Sequence, residues 1–282
     1  SQGDAAGIYL VHYADNNTII NNIVFATGDN GYTYGKKLGY AILIANNSDD
    51  NLVRGNMLFG NGGKGAFRIL SGEPYSTSAE RNKIHDNAIL SGEGENSSND
   101  CSDNANEYTN NIMYNVYQFL WNTKGNKDGT KGNHLLKHNL FWIDAFTRIG
   151  PSLTVGGTEC SNPIIAYKIQ NTIQDNIFYS PDRTSDFHVL WWVDGQAGSP
   201  SSIKHSGHNL FWAAGAASTW TRGYTFSSTD IYSPTQQPVF ADSLSGVFSL
   251  IPESRGKAKA SDVREIAIWY NEYLKKSCLQ KV

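Results

Sequence analysis

Proline is scarce in this chain, with 8 in 282 residues, and cysteine and methionine are scarcer, at 3 and 2. The low proline count and 12% aromatic residues exclude the composition of a disordered chain, which lacks ring side chains. Cys101, Cys160 and Cys278 lie far apart and lack the C-x-x-C spacing of a metal knuckle, which leaves one disulfide or three free thiols equally open. No apolar run approaches the roughly 18 residues of a membrane-spanning helix. No run of like charge suggests a polybasic anchor. With 23 basic and 26 acidic residues, the net charge of −3 excludes the strong basic excess of a nucleic-acid binder. No signal peptide is visible in these residues. The chain opens at Ser1 without Met and runs into an apparent strand, so loss of a leader or of further N-terminal repeats is an open expectation. Common catalytic motifs are missing: there is no G-x-S-x-G and no H-E-x-x-H. The glycine-rich stretch Asn61 to Gly65 lacks phosphate-loop spacing and reads as a turn. Sequon matches at Asn16, Asn46 and Asn96 carry little weight in so asparagine-rich a chain.

What is present is a repeat of the form N-x-apolar-x-x-N-apolar. It begins at Asn17, Asn51, Asn82, Asn106 and Asn171, and shortened copies end at Asn139 and Asn209. The second Asn falls at 22, 56, 87, 111, 139, 176 and 209, in steps of 34, 31, 24, 28, 37 and 33 residues. Unequal steps suit a solenoid whose fixed strands are joined by variable loops, and a solenoid of this length counts as one domain. A second short apolar run precedes most copies, at Ile8–His12, Ala41–Ala45, Ala66–Leu70, Tyr117–Trp121, Ile164–Ile169 and Val189–Val193. These runs, bounded by Gly, Asn, Asp or Ser, read as strands, and they are too short for a helical period. Each coil thus carries at least two strands. The Asn is expected to take the left-handed backbone of a sharp bend and to hydrogen-bond along a ladder of stacked amides.

These N-x-I-x-x-N strands, from residue 7 to about 215, resemble the pectate-lyase-like and NosD-like right-handed parallel β-helix superfamily. Pro238-Val239-Phe240, Phe248-Ser249-Leu250, Ser254 and Gly256 look like the closing segment of many secreted β-helix proteins. The fold expectation is all-β: a right-handed parallel β-helix (solenoid) over residues 1–258, with the loss of N-terminal coils left open, and a short C-terminal capping α-helix within 259–282. Asp262 would cap that helix from about Val263 to Lys276, with Ile266, Ile268, Trp269, Tyr273 and Leu274 as its apolar face. The resemblance implies a secreted or cell-surface, carbohydrate-active protein, and it implies calcium as a cofactor of the lyases among its members.

Asp49-Asp50 invites comparison with the paired aspartates of β-helix polygalacturonases. The pair falls in the turn before a repeat strand, where other coils carry Asp15-Asn16 or Glu80-Arg81, and it reads as a solvated turn. Strands alternate faces with period two. Placing Ile42 and Ile44, Phe67 and Ile69, and Leu190 and Trp192 inward turns Leu43, Arg68, Phe119, Tyr167 and Trp191 outward, with Trp121, Val193 and Tyr9 beside them. A slip of one residue would exchange the faces. An outward line of Tyr9, Phe119, Trp121 and Trp191 would offer rings to a chain of sugars. Arg68, Lys168 and Lys64 are the candidate cations for uronate recognition and proton abstraction, with Tyr167 as proton donor. A hydrolase would instead need two carboxylates, and Glu73 and Asp194 are that pair, with Asp144 nearby in the reading. His134, His138, His205 and His208 lack a carboxylate or thiol partner at metal-like spacing, so they read as stand-ins for the polar turn residue and no metal ligand is assigned.

The leading expectation is therefore an enzyme that cleaves glycosidic bonds of a polysaccharide or oligosaccharide, by elimination or hydrolysis. A non-catalytic, adhesive glycan-binding protein and a uronate epimerase are the alternatives.

Overall fold

The computed structural model describes residues 6–27, 40–61, 66–70, 79–91, 105–114, 134–142, 153–155, 171–180, 190–192, 203–213, 221–222, 227–232, 237–238, 240–242 and 247–250. Within them the chain runs repeatedly through the same set of parallel sheets. The first circuit is β1 (Ala6–Leu10), β2 (Thr18–Ile20) and β3 (Ile23–Thr27). The second is β4 (Tyr40–Ala45), β5 (Leu52–Arg54) and β6 (Met57–Asn61), and the third is β7 (Phe67–Leu70), β8 (Lys83–His85) and β9 (Ala88–Ser91). Then follow β10 (Glu107–Thr109) with β11 (Ile112–Tyr114), and β12 (Leu135–Lys137) with β13 (Leu140–Trp142). The next two circuits are β14 (Leu153–Val155), β15 (Asn171–Gln174) and β16 (Ile177–Ser180), then β17 (Leu190–Trp192), β18 (Ile203–Gly207) and β19 (Leu210–Ala213). The last strands are β20 (Thr221–Arg222), β21 (Ile231–Tyr232), β22 (Phe240–Asp242) and β23 (Val247–Leu250).

Four parallel sheets collect these strands in order: β1-β4-β7, then β2-β5-β8-β10-β12-β15-β18, then β3-β6-β9-β11-β13-β16-β19-β21, and finally β14-β17-β20. Among the described residues the first three circuits carry three strands each, in keeping with the expected minimum of two, and β3 and its equivalents form a sheet of their own. The expected closing segment is an antiparallel pair, β22 with β23. The expected strands at 117–121 and 164–169, and the C-terminal helix, lie outside the described residues.

Register is strict and places apolar side chains in interior rows. On the second sheet one row reads Ile19, Val53, Ile84, Tyr108, Leu136 and Ile173, all buried. On the third it reads Val24, Leu58, Ile89, Met113, Phe141, Phe178 and Phe211. The last three rings stack at 4.7 and 4.9 Å, within 7° of parallel. Each such buried side chain contributes on the order of 2 kcal/mol through removal from water.

Between the second and third strands of a circuit the chain bends over two residues. The backbone there must break from the sheet pattern, yet its polar groups are buried and must be paired. The second residue is always Asn. The backbone N–H of Asn22 donates to Asn56 Oδ1 at 2.9 Å, and its Nδ2 donates to the same oxygen at 3.1 Å. The same double contact links Asn56 to Asn87, Asn87 to Asn111, Asn111 to Asn139, Asn139 to Asn176, and Asn176 to Asn209. Nδ2 also donates backward to a main-chain carbonyl, as from Asn139 to Tyr108 O at 2.8 Å. Asp230 ends the series by accepting both donors of Asn209. A second ladder at the preceding bend runs from Asn17 through Asn51 and Asn82 to Asn106.

The left-handed backbone, however, is not on the ladder Asn. It is on the residue before: Asn21, Gly55, Asp86, Asn110, His138, Asp175 and His208 at one bend, and Asn16, Asp50, Arg81 and Ala105 at the other. This corrects the expectation that the ladder Asn itself takes that conformation. The physical reason is a division of labour. One residue turns the chain, and the next spans to the neighbouring coil.

Two outcomes follow. Asn139→Ala removes the acceptor of the buried Asn111 backbone N–H and the donor to Tyr108 O, while the residue-139 N–H still reaches Asn176 Oδ1, which should cost about 1–3 kcal/mol in urea unfolding. Ala105 holds a φ of 53° that a Cβ disfavours, so Ala105→Gly should raise stability by about 1 kcal/mol in the same assay.

Candidate functional site

On the first sheet the register aligns Tyr9, Leu43 and Arg68 in one row, between the inward rows Ile8–Ile42–Phe67 and Leu10–Ile44–Ile69. Tyr9 is 45% exposed and Arg68 half-buried. Leu43 is fully buried, which corrects its place among the exposed outward residues: it stands in the outward row but is covered. Coils stack about 4.8 Å apart, so Tyr9 and Arg68 sit two spacings apart along the row. Arg68 is held by Tyr40, which sequence reading missed because the strand was started one residue too late. Arg68 Nη1 donates to the Tyr40 hydroxyl at 2.5 Å, and the guanidinium carbon lies 5.4 Å from the centre of its ring. Tyr40 itself is buried, so it orients the cation and does not face solvent.

Trp191 lies in β17, opposite Thr154 and Arg222, on the fourth sheet and not beside Arg68. Lys64, Glu73, Phe119, Trp121, Asp144, Tyr167, Lys168 and Asp194 fall outside the residues whose side chains are described.

The third sheet carries an aromatic row that sequence reading overlooked: Phe25, Phe59, Leu90, Tyr114, Trp142, Tyr179 and Trp212. Its signal was available, because each member stands three residues after a ladder Asn. Phe25 and Phe59 stack at 4.6 Å and 11°. Tyr179 and Trp212 stack likewise at 5.1 Å and 22°, whereas Trp142 meets Tyr179 edge-on at 64°. At its far end Phe240 packs on Trp142 and Tyr179 at 5.5 and 4.9 Å, and Gln237 Nε2 donates to the Tyr179 hydroxyl.

The charged turn at the first bend is structural. Asp15 Oδ1 accepts from Asp49 N, and Asp49 Oδ1 accepts from Glu80 N, which stacks three acidic side chains. Arg81 pairs with Asp49 at 3.1 Å, Asp50 at 2.8 Å and Glu80 at 3.3 Å. The hydrogen bond from Arg81 holds the Asp50 carboxyl below its ordinary range, whereas burial raises that of Asp49. The aspartate pair is therefore committed to its arginine and to the backbone. Among the described residues no group of three or more His, Cys, Asp or Glu side chains is placed to hold a metal ion.

Three of the four histidines fill bend positions, whereas His205, expected at a turn, lies within β18 opposite Thr172. His134 is buried and takes the place of Asn in the first ladder, its Nδ1 accepting from Asn106 N at 3.1 Å. His138 and His208 occupy the left-handed position and flank Asp175, at 3.4 and 3.6 Å, with Lys137 at 3.7 Å. Burial pushes the His134 imidazole down to about 3, well below its ordinary value.

No family model matches the chain, and no curated protein sequence matches it. Among solved structures it is similar to an alginate lyase from Paenibacillus sp. str. FPU-7, at 15% identity over 80% of this chain and 72% of that one, with a TM-score of 0.47. Likeness at that level carries no conclusion about activity. Among the described residues no helix is long and apolar enough to cross a membrane.

The depressed value of His134 has a definite sign. The unfolded state binds the proton first, so the stability of the neutral, buried ring is complete above the ordinary histidine range and is lost as pH falls toward 3. His134→Asn restores the ladder amide without a titrating group. Between pH 6.5 and 4.5 the parent chain should lose roughly 2 kcal/mol more than this variant, measured by urea unfolding at both values.

Proposed function

We propose that this chain is a secreted or cell-surface enzyme that cleaves an acidic polysaccharide by β-elimination, in a groove along the wall of a right-handed parallel β-helix closed by a C-terminal helix. The handedness follows from the strong preference of parallel crossovers for the right-handed sense. The observation that carries the reading is Arg68: a half-buried guanidinium in an outward strand row, oriented by Tyr40 and aligned with exposed Tyr9. A charge within an apolar strand is costly to hold unless it is paired or used. An Arg fork matches a carboxylate in shape, where a lysine would supply only a point charge.

In this mechanism Arg68 pairs with the uronate carboxylate and stabilises the negative charge that develops when the proton on the adjacent carbon is removed. Lys168 or Lys64 serves as base. The electron pair left behind forms a carbon–carbon double bond as the glycosidic oxygen departs, and Tyr167 delivers a proton to that oxygen. Tyr9, Phe119, Trp121 and Trp191 supply ring contacts along the bound chain. Hydrolysis through Glu73 and Asp194 is the competing chemistry within the same groove.

The test is incubation with pectin, alginate, glycosaminoglycan and neutral glycans. Elimination should give unsaturated ends with an acidic substrate, and Arg68→Ala should lower kcat/KM by about 100-fold or more while the far-ultraviolet circular dichroism stays unchanged. Full activity in Arg68→Ala would refute the site. New reducing ends without unsaturation would mean hydrolysis, altered stereochemistry at constant length an epimerase, and tight binding without any product an adhesive protein.

A further inference from the structure

Both ladders have a direction. The ladder Asn residues send backbone N–H and Nδ2 forward to the next coil and offer Oδ1 backward to the previous one, except that Asn106 sends only its N–H forward, to His134, while its Nδ2 donates to Ala79 O. In the first coil this leaves Oδ1 of Asn17 and Asn22 facing outward, and among the described residues nothing donates to either. The strands of that coil, β1, β2 and β3, are each the edge of their sheet. The same coil holds the large exposed apolar side chains of the described residues: Tyr9, Tyr13, Ile20, Ile23 and Phe25. Phe25, at 55% exposed, stacks one face on Phe59 and turns the other outward along the row.

We propose that this end of the molecule is a docking surface for one further coil of the same N-x-apolar-x-x-N kind, delivered by polypeptide ahead of β1. Hydrogen-bond polarity selects the occupant. A coil of that kind presents two forward-pointing amides in register with Asn17 and Asn22, and an aromatic three residues after its second Asn in register with Phe25. A second copy stacked face to face would set acceptor against acceptor. Among the described residues, a second copy stacked tail first has no amide to offer at the second bend, where that ladder ends at Asp230. Asp230 carries a carboxylate, and its own N–H donates to Ser227 O at 3.0 Å. An isolated sheet edge with exposed apolar side chains invites non-specific pairing, which a seated coil removes.

The experiment extends the full chain. A duplicate of residues 40–61, which carries Asn51, Asn56 and Phe59, is joined ahead of Ala6 through a duplicate of residues 28–39. A control extension carries N51D and N56D in the duplicate only, which replaces the forward amides with carboxylates. Hydrogen exchange at the Thr18 and Ile23 amides should slow by at least 100-fold with the first extension and change less than 3-fold with the control. Equal protection by both extensions, or by neither, would overturn the proposal. Sedimentation of the unextended chain is the second arm, and a monomer agrees with the proposal. A dimer that the Phe25→Lys variant abolishes would assign the surface to a second copy and overturn it.

Discussion

A buried amide that reaches forward to one coil and backward to another holds this structure in register. Each bend breaks the sheet's backbone pairing at a point water cannot reach. The Asn side chain closes that gap by accepting the N–H of the preceding Asn, so the cost of an unpaired buried group is avoided at each step of the ladder. The apolar rows depend on this, because a coil displaced by one residue would turn Ile84 or Phe141 outward and lose the burial that stabilises the core.

A scaffold held this way constrains only the bends and the short strands. The connections between circuits are free to differ in length, which is why ladder steps range from 24 to 37 residues without disturbing the hydrogen bonds. Outward positions are equally free to carry chemistry. Arg68 uses that freedom on the first sheet, while the third sheet spends its outward positions on rings that stack on one another and, at one end, on Phe240. The acidic turn at Asp49 and Asp50 illustrates the contrast. Its carboxylates are taken up by Arg81 and by main-chain donors, so a pair that resembles catalytic machinery on paper is part of the scaffold.

Much of this was legible in the sequence because the ladder is a spacing rule. Asn at 22, 56, 87, 111, 139, 176 and 209 recurs whatever lies between, and the apolar residue three positions earlier marks the interior row at all but the last, where Ser206 stands. The left-handed bend residues were legible only in part: Asn21, Gly55 and Asp86 are natural turn formers, whereas Arg81 and Ala105 carry no local signal for that conformation. The aromatic row was legible by the same spacing but was sought on the wrong strand. Of the candidate site, Arg68 and Tyr9 were placed in a common row by simple alternation, yet Tyr40 was not found, since its role arises from a cross-coil contact that no local pattern encodes.

Residue-resolved hydrogen exchange of the full chain tests the ladder most directly. Bend amides usually exchange fast, because turns lack backbone partners. If Asn side chains are the buried acceptors, the backbone amides of Asn87, Asn111, Asn139 and Asn176 will exchange as slowly as the most protected strand amides beside them. Exchange of these four at the rate of exposed turns would contradict the ladder and, with it, the register of every coil.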